Sequence, residues 1–88
     1  MNLDDLRAEI DKIDSDIIHS LGKRQKLIIK VAEYKKAHSL PPLQEARFTA
    51  MLDTLIEAGK SEDISPKLVT DIWEAIHEDS LNTQEKLV

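Results

Sequence analysis

Four polar residues stand where helical periodicity calls for apolar ones. Arg24 and Lys35 fall on the apolar stripe of one segment, Ser80 and Gln84 on that of another, and Arg7 and Arg47 lie at stripe edges. A buried charge costs several kcal/mol unless something pairs with it. No acidic residue shares the centre of the stripe that carries Arg24 and Lys35, so an anion is expected there, from the rest of the fold or from a ligand. The inventory is rich in fixed donors and holds no evident nucleophile or general base. There is no Ser-His-Asp candidate and no Gly-rich phosphate loop. His19, His38 and His77 lack metal-ligand spacing and cysteine is absent, so neither a metal nor a cofactor is expected. Such a set suits an anionic substrate that rearranges by itself once held, the protein supplying orientation and stabilising developing charge. The competing reading is that the long cations snorkel to water and that Ser80 and Gln84 merely end a short stripe.

The element that must position the two central cations is residues 3–38, with no proline and one glycine, Gly22. Leu3, Leu6, Ile10, Ile13, Ile17, Leu21, Ile28 and Val31 step by threes and fours with one gap. Arg24 fills the gap, and Lys35 continues the stripe beyond Val31. Lys23, Lys26 and Lys30 fall on the opposite, solvated side. An unbroken helix over this stretch would be roughly 54 Å long at about 1.5 Å per residue. A compact chain of this size has a radius of gyration of only about 12 Å. The helix must therefore break near Gly22 or be covered by a second subunit. A glycine costs about 1 kcal/mol relative to alanine, too little to stop so amphipathic a helix, and the expectation is a homodimer.

Pro41-Pro42 ends the first helix, because the residue before a proline avoids the α region. A second helix is expected from about Leu43 to Ala58, with Phe48, Met51, Leu52 and Leu55 on one face and Gly59 as its C′ residue. Ser65-Pro66 supplies an N-cap and an N1 proline for a third. Val69, Ile72, Trp73 and Ile76 form its stripe; Ser80 is the next position and Gln84 follows one turn later.

Eighty-eight residues make one domain, with hydrophobic residues at 41% and charged residues at 33%, a soluble globular balance. Three aromatics, two glycines and three prolines leave little material for strands, so the fold class is all-α. A net charge of −5 argues against a nucleic-acid surface and makes the cations on the apolar face more informative. The acidic N-terminus, without an uninterrupted apolar run, implies neither signal peptide nor membrane span, and a cytoplasmic protein is expected.

These residues also carry a resemblance. Leu6-Arg7 with Ile10 and Ile13-Asp14, then Leu21-Gly22-Lys23-Arg24, resemble the first helix of AroQ-type (all-helical) chorismate mutases. Lys35, Arg47, Leu55-Ile56, Gly59-Lys60 and the run Ile76-His77-Glu78-Asp79-Ser80-Leu81-Asn82-Thr83-Gln84 continue the match over essentially the whole chain. The resemblance implies an intertwined dimer of three-helix subunits, and a cofactor-free pericyclic conversion of chorismate to prephenate in aromatic amino-acid biosynthesis. Arg24, Lys35, Arg47, Ser80 and Gln84 would line one subunit's site, with Arg7 supplied by the other. Arginines would grip the two carboxylates, Lys35 and Gln84 would donate to the ether oxygen, and Ser80 would help hold a carboxylate or hydroxyl. The chain departs from the family at two positions, with Gln44 in place of an Asp and Phe48 in place of the Glu that partners the ring hydroxyl. Gln44 can still accept a hydrogen bond; Phe48 cannot. Isochorismate-pyruvate lyases carry an apolar residue at the Phe48 position and 4-amino-4-deoxychorismate mutases share the fold, so both stand as alternatives. A third is a non-catalytic helical dimer, which would need protein carboxylates against Arg24 and Lys35.

Overall fold

The computed structural model describes residues 1–87 and contains three α-helices, with no strand among the described residues. A capping box opens α1, Leu3–Ala37: Asp5 N–H donates to Asn2 Oδ1 at 2.9 Å, and Asn2 N–H to the Asp5 carboxylate at 3.4 Å. Asp4 and Asp5 occupy the first turn and Lys35 and Lys36 the last, both favourable to the helix dipole. The helix runs through Gly22 without a break, as the small cost of one glycine implied.

α2 spans Glu45–Ser61 and α3 spans Pro66–Leu87. α1 and α2 end alike. Leu40 N–H reaches back to Lys35 O, and Ile64 N–H to Gly59 O, each at 2.8 Å. The C′ residues are Ser39 and Asp63, with φ of 55° and 58°, so both ends are Schellman motifs built without glycine. At α3, Ser65 caps as its sequence indicated, its Oγ accepting from Leu68 N–H at 3.1 Å.

α2 departs from its sequence expectation at both ends. It begins at Glu45 rather than Leu43. A helix starting at Leu43 would turn the Pro42 carbonyl into its first acceptor, whereas that oxygen accepts from Lys35 Nζ at 2.6 Å. Gly59 is not the C′ residue either. It lies buried within the last turns of α2, without a positive φ, where a Cβ would stand 2.7 Å from Val69 Cγ2. Its small size sets how closely α2 approaches α3.

α3 is the central element, packing against both α1 and α2. The shared core is slight, with Ala32 and Val69 its buried apolar residues. The N-terminal two-thirds of the α1 stripe is bare: Ile10, Ile13 and Ile17 are 55, 59 and 52% exposed. The protomer is accordingly elongated, 55 × 23 × 15 Å with a radius of gyration of 16.1 Å, against the roughly 12 Å of a compact chain this long. No helix among the described residues is long and apolar enough to cross a membrane.

Candidate active site

The C-terminal half of α1, the start of α2 and the C-terminal half of α3 enclose a cleft of about 160 Å³. α1 contributes Arg24, Ile28, Val31 and Lys35, whose steps of four, three and four put them on one line. α3 contributes His77, Ser80 and Gln84 by the same rule. Arg47, Phe48 and Met51 come from α2, with Pro42 and Gln44 from the connection before it.

Two hydrogen bonds tie the α1 line to the α3 line. Arg24 Nη1 donates to Ser80 Oγ at 2.8 Å, and Lys35 Nζ donates to Gln84 Oε1 at 2.7 Å. Just outside, Gln25 Nε2 donates to Thr83 Oγ1 at 2.9 Å and reinforces the same pairing. Ser80 and Gln84 are 4 and 5% exposed, so these polar groups end the stripe by being buried in it rather than by leaving it. The Lys35 bond also sets the Gln84 amide. With Oε1 engaged, Nε2 remains as a donor; it makes no hydrogen bond to the described residues, and none of their buried side-chain polar atoms lacks a partner, so it opens on the cleft.

Three cations and no carboxylate line this cleft. Among the described residues, neither Arg24, Lys35 nor Arg47 forms an ion pair; those present, Lys60 with Glu57 and Lys67 with Asp71, are on exposed helix surfaces. The anion expected against Arg24 and Lys35 is therefore not supplied by the described residues of this protomer. Burial holds the Lys35 ammonium below its usual pKa. Burial, and then the charges of Arg24 and Lys35, hold the His77 imidazolium below its own. Both effects reflect a positive, partly dry site that an anion would relieve.

Six of the seven residues singled out by sequence converge here: Arg24, Lys35, Gln44, Arg47, Ser80 and Gln84. Arg7 does not. It is exposed, seventeen residues before Arg24 on the same unbroken helix, or about 25 Å along the axis. His77 was missed. It lines the cleft with its ring stacked on Phe48, centroids 3.8 Å apart and planes at 18°. Its signal was present in the steps Trp73, His77, Ser80 and Gln84, a second track along α3 beside the one through Ile76. Pro42 O, the further acceptor for Lys35, had no sequence signal. No group of His, Cys, Asp or Glu among the described residues is arranged to hold a metal ion.

The family pattern described as chorismate mutase type II matches residues 6–85, which contain every one of these side chains. The chain belongs to that family. It is similar to "Bifunctional chorismate mutase/prephenate dehydratase" of Buchnera aphidicola subsp. Schizaphis graminum, 34% identical over 82 residues, covering 93% of this chain and 21% of the relative. It is also similar to "T-protein" of Haemophilus influenzae, 36% identical over 70 residues, covering 80% of this chain and 19% of the relative. A shorter relative is "4-amino-4-deoxychorismate mutase" of Streptomyces venezuelae, 24% identical over 71 residues, covering 81% of this chain and 69% of the relative. The chain thus spans about a fifth of the length of the bifunctional relatives it matches.

Proposed function

We propose that this cleft converts chorismate to prephenate by a pericyclic rearrangement in which the ether carbon–oxygen bond breaks as a new carbon–carbon bond forms. The observation that carries the reading is one cleft with three cations, two buried neutral groups and no carboxylate. Arg24 and Arg47 grip the two substrate carboxylates, forcing the flexible side chain over the ring. Lys35 Nζ and Gln84 Nε2 meet the ether oxygen, where negative charge grows as the bond breaks; donors fixed before the reaction stabilise that charge without reorganising. The chemistry needs no nucleophile, and the cleft offers no activated one.

Arg7 enters from a second copy of the chain in the same reading. The bare stripe Leu3, Leu6, Ile10, Ile13, Ile17 and Leu21 continues into an apolar hollow of about 450 Å³ beside Leu21, Gly22, Ala75 and Ile76. A partner's α1 crossing there would cover the stripe and carry its Arg7 toward the cleft, giving an intertwined cytoplasmic homodimer. The non-catalytic alternative is disfavoured, since it needs carboxylates against Arg24 and Lys35.

Phe48 on the cleft wall favours a second reading, an isochorismate-pyruvate lyase or a mutase for 4-amino-4-deoxychorismate. Incubating the protein separately with chorismate, isochorismate and 4-amino-4-deoxychorismate, and identifying products, tests all three. Prephenate as the dominant product is expected; pyruvate release from isochorismate as the faster reaction would replace the first reading with the lyase.

A further inference from the structure

Building on the chorismate reading, we propose that His77 is the specificity-determining contact for the substrate's ring hydroxyl, its imidazole edge presented to the cleft by the stack on Phe48. Chorismate brings two carboxylates, an ether oxygen and one ring hydroxyl. Arg24 and Arg47 answer the carboxylates, and Lys35 with Gln84 answers the ether oxygen. The hydroxyl needs a partner of its own, since a buried polar group without one costs binding.

Three lining side chains are left that can accept a hydrogen bond: Ser80, Gln44 and His77. Ser80 Oγ accepts from Arg24 at 2.8 Å and the residue is only 4% exposed, so it offers a ligand little surface. Gln44 is exposed at the N-terminal end of α2 and makes no capping hydrogen bond, so nothing fixes its amide. His77 is half-buried and held. One face is stacked on Phe48, centroids 3.8 Å apart, and the ring nitrogens make their polar contacts at the edge. Neither ring nitrogen makes a hydrogen bond to the described residues. Burial, and then the charges of Arg24 and Lys35, lower the imidazolium's pKa below the usual 6.5, which favours the neutral ring with one accepting and one donating nitrogen. Phe48, which cannot reach a hydroxyl itself, thereby acts as a positioning residue for one that can.

The test compares two bridged bicyclic dicarboxylates shaped like the rearrangement's transition state, one bearing the ring hydroxyl and one without it, by calorimetric titration. Unmutated protein should prefer the hydroxylated diacid. His77→Leu should lose roughly tenfold or more of that preference, the usual consequence of leaving a buried hydroxyl unpaired, while the deoxy diacid binds as before. His77→Gln, which keeps an acceptor and a donor, should retain most of the preference and guards against a folding defect in the leucine variant. Equal weakening of both diacids in His77→Leu and His77→Gln would assign His77 a merely structural role and overturn the proposal. So would a hydroxyl preference that survives in His77→Leu. Chorismate turnover by the unmutated protein is measured alongside: its absence overturns the underlying reading, whereas turnover with an unchanged hydroxyl preference in His77→Leu overturns this inference alone.

Discussion

Lys35 Nζ and Gln84 Oε1 lie 2.7 Å apart, joining the last turns of α1 and α3 across forty-nine residues of sequence. The bond places an ammonium and an amide N–H side by side at the cleft. In the proposed reaction, this cation, which burial disfavours, would meet a negative charge that forms only as the ether bond breaks.

Lys35→Ala should lower kcat far more than it raises KM, because its charge is matched chiefly in the transition state. Removing one such preorganised donor costs roughly 2.7–4 kcal/mol. Gln84→Ala should cost less than Lys35→Ala, and the double variant less than the sum, since the two residues are in contact. Steady-state kinetics of chorismate depletion reads all three; an unchanged kcat in Lys35→Ala would mean that the ammonium only snorkels.

The pH behaviour follows from Lys35 and His77. Lys35 must be protonated, so kcat/KM falls as pH rises through its pKa, which burial places below the ordinary 10.5. A bound dianion favours the ammonium, so the alkaline limb should stand at higher pH in kcat than in kcat/KM. Turnover should be flat between about pH 6 and 9, and Gln84→Glu should move activity towards acid, because a carboxyl there donates only while protonated. For stability the sign comes from His77. Its folded pKa lies below the usual 6.5, so the unfolded chain takes up the proton first as pH falls. The stability linked to a neutral His77 is complete above 6.5 and is lost as pH falls through the folded value. Denaturation midpoints from pH 8 to 5 should therefore fall less steeply in His77→Gln.

Arg7→Ala and Arg24→Ala chains should each be nearly inactive alone. Refolded together, they should form some dimers with one intact site and regain part of the activity, because Arg7 stands about 25 Å from its own Arg24. Sedimentation of the unmutated protein should give a dimer at micromolar concentration; a stable, fully active monomer is the contrary result.

Gly59→Ala should destabilise the fold, since its Cβ would stand 2.7 Å from Val69 Cγ2. Forcing an extra carbon into a packed contact typically costs about 1–3 kcal/mol. Val69→Ala in the same chain should recover part of that loss, measurable by urea denaturation. Gly22→Ala is the control and should be neutral to stabilising in the isolated protomer, as nothing lies within 4 Å of its added methyl; a loss of dimer in this variant would locate the partner at Gly22.

Periodicity alone determined the three helices, the faces of Arg24, Lys35, Ser80 and Gln84, and the excess length of α1. A helical repeat assigns every residue to a side of its own element, and a charge on an apolar side is conspicuous before any packing is known. Ser65-Pro66 marked the start of α3 for an equally local reason, a side-chain cap followed by a residue that needs no N–H. Which residues meet across helices was not local, and only the tertiary structure decided it. That Lys35 takes Gln84 and the Pro42 carbonyl, and that His77 lines the cleft with one face stacked on Phe48, depend on how α2 and α3 are set against α1. The same long-range geometry reassigned Gly59, which reads as a helix stop until Val69 occupies the space its side chain would need. Sequence spacing contains no record of such distances between elements, because they arise from the joint packing of all three helices.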